Sequence, residues 1–452
     1  MSLSPATAPV SRPLGDLESF FAWASGRYGT FTIAAPLLCE GRLDVPRLQQ
    51  AARRLAERWP ILASGIAIAP SGRLVLTPLP DLEPDLRIVP RFGEESWRLV
   101  TESLANEPFP PPSPSDDVSA ARPLWSLTLL AGGSRSELVL RIHHAVCDGM
   151  GIAPFFHALL ETYADLERSD SAGPKPQPLP PPLEAMLPIG ARALATLRFL
   201  GAEPGHAVRT PRPEAALPDC VQRTVVRFGS LSADETAAVL RAAKANGMTL
   251  NTALCAAALQ SLFELLPDRR QTSLQTLIDL RRRRALPVAP EQLGLYIHWV
   301  KTWYARRRAG AGAFSELARE YNQAMSGAAA RGGLPPWGLS WMARLFLKGQ
   351  LDQYPLTCTS DSVVSNMGVL PLAEQYGGLR PTGLFISSCQ HPAGTRFGWL
   401  IGTLHGRLGF AAHVRDPLDP PAQAERMLES IRRHLMEGLR VDVGTSDRRR
   451  AA

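Results

Sequence analysis

The apolar positions of this chain fall into runs of two kinds. Glu137-Leu138-Val139-Leu140-Arg141-Ile142 is short and mostly aliphatic, which predicts a buried strand, and from Gly151 to Leu160 the apolar residues take up a helical period. Farther on, Ser232-Ala233-Asp234-Glu235 has the S-x-x-E spacing of a capping box, in which each side chain satisfies a free backbone N–H at a helix start. The helix it opens, Asp234 to Asn246, is expected to end at Gly247. Gly247 to Phe263 carries no charge, but Asn251, Thr252, Gln260 and Ser261 interrupt it, so a buried core helix is expected rather than a membrane span. Thr249 or Asn251 would cap that helix.

One stretch breaks the pattern. Ala172-Gly173-Pro174-Lys175-Pro176-Gln177-Pro178-Leu179-Pro180-Pro181-Pro182 favours extended, polyproline-like backbone and excludes helix or central strand. It reads as the start of a crossover between two halves, with a helix expected over Ile189 to Leu200 and regular structure resuming near Gln222 to Phe228. Pro336 to Leu347 packs many large apolar residues into one expected helix. Such a helix would touch a lipid surface or simply pack in a core. No internal repeat is visible.

Between the strand and the helix of the first half lies Arg141-Ile142-His143-His144-Ala145-Val146-Cys147-Asp148-Gly149, with the spacing H-H-x-x-x-D-G. A strand-to-helix connection is where a rigid scaffold presents polar groups to a cleft. An imidazole near its ordinary pKa of about 6.5 accepts a proton at neutral pH, which suits it to deprotonating a hydroxyl or amine during attack on a carbonyl. Asp148, behind the pair, would hold the loop. Two other readings stay open on these residues alone. A histidine pair at a strand end can be a hydrogen-bonded part of the core, and His144 with Asp148 would supply two ligands of a metal site. No other Cys or His cluster lies nearby in sequence to complete one, so no metal is expected.

Composition changes this picture little. The chain has 452 residues, 45% of them hydrophobic, enough for more than one core. The net charge of +7 includes arginine runs at Arg281 to Arg284 and Arg306 to Arg308. These would receive the phosphates of a ligand or an acidic protein surface, or form a solvated basic face. They are not interleaved with aromatic residues in the manner of a nucleic-acid groove, so no nucleic-acid partner is expected. The six cysteines are scattered without paired spacing, and Met1 to Pro13 has no apolar signal core, which together predict a reduced, cytoplasmic protein.

The motif and several ordered segments resemble the chloramphenicol-acetyltransferase-like superfamily of thioester-dependent acyltransferases. That superfamily includes nonribosomal peptide condensation domains, wax ester and diacylglycerol synthases, alcohol acyltransferases and stand-alone polyketide-associated acyltransferases. Gly41-Arg42-Leu43-Asp44 leading into Leu48, Ala51, Leu55 and Trp59-Pro60-Ile61-Leu62 is similar to its opening strand and first helix. Pro123-Leu124-Trp125, Ile278-Asp279-Leu280-Arg281, Leu293-Gly294-Leu295-Tyr296, Ser365-Asn366-Met367-Gly368 and Arg407-Leu408-Gly409-Phe410 match later segments in order. Two positions depart from it: Arg396-Phe397-Gly398-Trp399-Leu400 keeps the F-G-W of a D-F-G-W-G motif but lacks its aspartate, and Tyr296 stands where many relatives have asparagine.

The resemblance implies an α/β (α+β) fold of two similar subdomains, each a mixed sheet flanked by helices, with an active-site tunnel at their interface. It divides the chain into 1–171, a proline-rich crossover 172–220, and 221–452. It implies an acyltransferase that moves an acyl group from a thioester donor, acyl-CoA or a phosphopantetheinyl acyl carrier protein, to a hydroxyl acceptor, as in lipid, polyketide or secondary-metabolite ester synthesis. No cofactor would be permanently bound and no acyl-enzyme formed. His144 would be the general base and His143 a support of the loop. Asp148 would pair with Arg281, Gly149 would sit where a side chain would clash, and Cys147 would be a bystander. Asn366 and Trp399 would contact substrate, Asn366 also steadying an oxyanion. A monomer would hold the whole site, with peripheral membrane contact possible through the Pro336 to Leu347 segment. The alternatives are an amide-forming condensation enzyme and a silent carrier-protein docking module, against which the intact His144, Asp148 and Gly149 argue. A serine hydrolase would need a G-x-S-x-G elbow, and Gly338-Leu339-Ser340-Trp341-Met342 lacks its final glycine.

Overall fold

The computed structural model of the chain describes residues 11–79, 82–114, 121–168, 177–187, 190, 222–281, 286, 288–307, 312–330, 358–389 and 394–441. In the first half these form β1 (Arg12–Pro13), α1 (Asp16–Tyr28), β2 (Thr32–Glu40), α2 (Val45–Arg58), β3 (Ser64–Ile68), β4 (Leu74–Pro78), β5 (Asp85–Pro90), α3 (Ser96–Asn106), β6 (Ser113–Pro114), β7 (Trp125–Ala131), β8 (Arg135–His143) and α4 (Gly149–Glu167). The second half forms β9 (Arg223–Ser230), α5 (Ala233–Ala245), α6 (Leu250–Leu265), β10 (Gln271–Asp279), β11 (Ile297–Ala305), α7 (Ala313–Ala330), β12 (Cys358–Val369), β13 (Arg380–Leu384), β14 (Ser387–Ser388), β15 (Gly394–Leu404), β16 (Arg407–Asp416) and α8 (Ala422–Leu439). The expected helix over 189–200, most of the crossover, the Pro336 to Leu347 segment, Arg282 to Arg284, Arg308 and Ser340 lie outside the described residues.

Local chemistry sets the helix starts. Ser232 and Glu235 form the expected box, Glu235 N–H donating to Ser232 Oγ at 3.1 Å and Ser232 N–H to Glu235 Oε2 at 2.8 Å. Gly247 follows α5 at φ +67°. At α6 the cap is Thr249, whose hydroxyl accepts from Thr252 N–H at 3.1 Å, while Asn251 lies inside the helix and donates to Tyr321. Among the described residues no helix is long and apolar enough to cross a membrane.

Two large mixed sheets dominate. The first runs β13-β2-β8-β7-β5, with β14 also on β2, and the second runs β11-β10-β12-β15-β16-β9. A small sheet, β1-β4-β3-β6, stands beside the first. The strand that ends in the histidine motif, β8, is central: it pairs antiparallel with β2 from Thr32↔His143 to Glu40↔Arg135, and with β7 on its other side. Its residues from Ser136 to His143 are buried, so both faces are covered.

The contiguous division of the chain at 172–220 needs a correction. Strands β13 and β14, far into the second half, belong to the first sheet, where Arg380 pairs with Glu40 and Ser387 with Ala34. The first apolar core accordingly takes in Val226, Leu293, Met367, Leu384 and Leu400 along with residues of the first half. The second core gathers α5, α6, α7 and α8 on the other side of the second sheet.

A further seam joins the halves. Strand β9 is an edge of the second sheet, and α3 lays a row of side chains along it at i, i+4 and i+8. Arg98 donates to Phe228 O at 2.6 Å, Glu102 accepts from Val226 N–H at 3.0 Å, and Asn106 exchanges two bonds of 2.8 Å with Thr224. Alternate backbone positions of the edge strand are thereby satisfied without a partner strand.

Candidate active site

His143 is the last residue of β8 and its ring turns inward. Nδ1 accepts from Ala145 N–H at 3.0 Å, the ring packs against Phe109 at 5.2 Å, and burial lowers its pKa to about 3. His143 is therefore a neutral, structural histidine that shapes the turn.

His144 points the other way and is half-buried. Its backbone N–H donates to Phe31 O at 3.0 Å. Phe31 follows α1 in the left-handed region at φ +60°, a conformation that costs a residue with a Cβ about 1–2 kcal/mol. Phe21 of α1 stacks on the imidazole, with centroids 4.9 Å apart and planes 14° from parallel, and Phe31 meets it edge-on at 6.4 Å. Burial lowers the pKa of His144, opposed by its own backbone, the charge of Asp148 and the backbone of Cys147. Nδ1 is buried and makes no hydrogen bond of full geometry.

Asp148 is completely buried and joins several elements. Oδ1 accepts from Met150 and Gly151 N–H at 3.1 and 3.2 Å, capping α4. Oδ2 accepts from Arg281 Nη1 and from Tyr296 N–H, both at 2.9 Å. Arg281 in turn donates to Asp279 and to the carbonyls of Gln292 and Gly294, and lies over the Tyr296 ring at 4.7 Å. The motif loop of the first half is thus clamped to the end of β10 and the start of β11. Tyr296 itself is buried against Leu183, Leu187, Leu280 and Leu286, so its side chain serves this junction rather than an acceptor.

The expected clash at Gly149 is not found: a Cβ there would meet only Met367 at 3.6 Å, an ordinary contact. The residue that excludes a side chain is Gly151, where a Cβ would come within 2.7 Å of Cys147 Sγ and 3.2 Å of Leu293. Cys147 is buried, and burial pushes its pKa up, so it stays a thiol.

Asn366 stands one residue before Met367, which faces Gly149. Its Oδ1 accepts from Gly368 N–H at 2.9 Å and its Nδ2 donates to Asn251 at 3.3 Å, leaving one amide hydrogen. Trp399 needs a correction: it is fully buried in the second core, on the helix-covered side of its sheet, and is no substrate contact. In the arginine run at 306 the two described side chains are exposed and already have partners. Arg306 donates to the carbonyls of Phe263, Leu266 and Arg269 at the end of α6, and Arg307 pairs with Glu320 at 2.8 Å. The residues missed in the sequence are Phe21 and Phe31. Their only signal is the apolar face Leu17, Phe21, Ala24 at helical spacing ahead of Gly29.

Comparison with known proteins agrees with this architecture. The family profile of the phthiocerol/phthiodiolone dimycocerosyl transferase C-terminus matches residues 221–413, and that of the wax ester synthase/diacylglycerol acyltransferase catalytic domain matches residues 115–286. A phthiocerol/phthiodiolone dimycocerosyl transferase of Mycobacterium sp. (strain JLS) is 27% identical over 264 residues, covering 55% of this chain and 57% of that protein. The match thus spans little more than half the length of this curated relative. Polyketide synthase associated protein 5 from Mycobacterium tuberculosis superposes with a TM-score of 0.69 at 20% identity, over 94% of this chain and 97% of that one. Trichothecene 15-O-acetyltransferase from Fusarium sporotrichioides gives a TM-score of 0.73 at 13% identity, over 97% and 100%. With two mixed sheets, a buried Asp148–Arg281 clamp and a histidine loop, the chain has the fold of these acyltransferase and condensation-domain structures, and two stretches of it are similar to the two acyltransferase profiles.

Proposed function

We propose that the chain is an acyltransferase that moves an acyl group from a thioester donor, on coenzyme A or a phosphopantetheinyl carrier protein, to a hydroxyl acceptor. The observation that carries this reading is His144: a half-exposed, neutral imidazole with Nδ1 turned into the protein, on a loop that Asp148 and Arg281 clamp between the halves. Nε2 takes the proton of the acceptor hydroxyl as its oxygen attacks the thioester carbonyl. Collapse of the tetrahedral intermediate breaks the C–S bond, and the proton passes from Nε2 to the departing thiolate, so ester and thiol are the products. The spare amide hydrogen of Asn366 is the donor assigned to the oxyanion. Cys147 takes no part, because its thiol is buried and protonated.

General base help is worth about 10² to 10⁴ in rate, so holding both substrates in line supplies the rest. The names of the relatives, a phthiocerol/phthiodiolone dimycocerosyl transferase and a trichothecene 15-O-acetyltransferase, support the hydroxyl acceptor. A cytoplasmic, monomeric enzyme belongs to the same reading, supported by thiols buried in the cores at Cys39, Cys147 and Cys255.

The test is thiol release from matched acyl groups on coenzyme A and on a carrier protein, with a pool of alcohols and amines, for wild type and His144→Ala. Release that needs an acceptor and falls at least about 10²-fold in the variant is expected. Release independent of acceptor, or undiminished in His144→Ala, overturns the reading, and amide products redirect it to the amine-forming alternative.

A further inference from the structure

We propose that Phe21 is the positioning residue of His144: its ring, laid flat on the imidazole, fixes the orientation of the base and shuts water from one of its faces. The inference rests on the acyl-transfer reading for its consequence in rate, and on geometry alone for its effect on the histidine.

His144 is anchored through its backbone, by the bond to Phe31 O, but its side chain makes no hydrogen bond through Nδ1. A catalytic imidazole without such an orienting bond turns about its χ angles unless packing stops it. Here packing supplies the restraint. Phe21 covers one face at 4.9 Å with planes 14° from parallel, a stacked arrangement that aromatic rings favour. Phe21 is itself braced by Phe31 at 4.3 Å, edge-on, and by Phe20 at 5.7 Å. Phe31 also meets the imidazole edge-on, so ring and edge together define a slot.

The helix that delivers Phe21 is pinned at its start. Glu184, from the short 3-10 turn Leu183–Met186 of the crossover, accepts Leu17 N–H at 3.1 Å, and Glu18 caps the same end by accepting Gly15 N–H at 2.8 Å. Leu17 and Phe21 lie one turn apart on one buried face, so the crossover, α1 and the base form one chain of contacts. The titratable groups around the ring are His143 and Asp148 of its own loop. Arg281 balances Asp148 from the end of β10, and Glu18 in the first turn of α1 is held by Arg12 at 2.7 Å.

A purely structural Phe21 would stabilise the fold without touching the titration of His144. The experiment is therefore the pH dependence of carbethoxylation at His144, read by peptide mass spectrometry after brief treatment of the full chain with diethylpyrocarbonate. It is run on wild type, Phe21→Leu, Phe21→Tyr and Phe410→Leu, with steady-state kinetics on the same proteins. Phe410 is a buried ring of the second core and controls for lost packing. In wild type the half-point lies below the ordinary histidine value, as burial dictates. Phe21→Leu is expected to move it upward, to speed modification at pH 8 at least threefold, and to lower kcat with little change in donor KM. Phe21→Tyr, which keeps the ring face, is expected to restore the wild-type profile. Phe410→Leu is expected to lower Tm alone. An unmoved His144 profile in Phe21→Leu, or an equal shift in Phe410→Leu, overturns the proposal. If Phe21→Leu does not fold, Phe21→Met, ringless and of similar volume, is read in the same way. Should wild type release no thiol from any donor, the acyl-transfer reading fails while the modification profile still decides the role of Phe21.

Discussion

Asp148 divides its carboxylate between two tasks. One oxygen caps α4 and the other binds Arg281 and the Tyr296 backbone, so the residue is a junction between elements. Asp148→Asn keeps the cap but removes the nearer of the two carboxylates that balance the buried Arg281 guanidinium, leaving Asp279 at 3.3 Å. Loss of one partner of such a pair costs about 3–5 kcal/mol, so denaturant midpoints should fall sharply. Arg281→Met combined with Asp148→Asn should lose less than the sum of the two single losses, and strict additivity in the cycle would dissolve the coupling. The glycines offer a second residue-level contrast. Gly151→Ala drives a methyl against Cys147 and should cost about 1–3 kcal/mol, whereas Gly149→Ala should fold as wild type, both read from thermal unfolding. Much of this scale was legible in the sequence. The spacing of His143, His144 and Asp148 marked the loop, and the resemblance supplied Arg281. What was not legible has a physical reason: two glycines two residues apart look alike until their neighbours are known, and nothing about an apolar helical position says which way its ring faces. Phe21 meets a histidine far along the chain, and no local pattern encodes that.

At the scale of elements, boundaries written in local chemistry were readable and pairings were not. The Ser232–Glu235 box and the Thr249 cap operate within a few residues, and both stand where the sequence puts them. The attachment of β13 and β14 to β2 links residues some 340 positions apart, and Trp399 looked available only because its burial depends on helices packed over the second sheet. The crossover turn carries its own prediction. Glu184 is buried beside Glu18 and Asp16, and its pKa is raised to about 7, burial being the larger cause. A carboxyl raised in this way binds its proton more tightly folded than unfolded, so its contribution to stability is full in acid and is lost as the pH rises through about 7. Glu184→Gln should raise Tm above pH 7 relative to wild type and not below pH 5, and parallel Tm curves across that range would contradict the assignment. Arg306→Ala should lower Tm by freeing carbonyls at the end of α6 while leaving donor KM unchanged, since that guanidinium is committed to the helix.

The whole molecule is held as one body by three ties: the strands lent to the first sheet, the α3 seam along β9, and the Asp148–Arg281 clamp. Residues 1–171 expressed alone lack β13 and β14, which leaves β2 an open, apolar edge. That fragment should be aggregated or molten by near-ultraviolet circular dichroism, and a soluble, cooperatively melting fragment would show that the halves are independent after all.

The clamp also orders events in time. Asp148 is made 133 residues before Arg281 and 148 before Tyr296, the two groups that satisfy its second oxygen. A chain still on the ribosome with its histidines already translated has an incomplete loop, and the loop reaches its final form only once the later half has folded back on the first. A chain that stops short of Tyr296 therefore cannot close the clamp on Asp148.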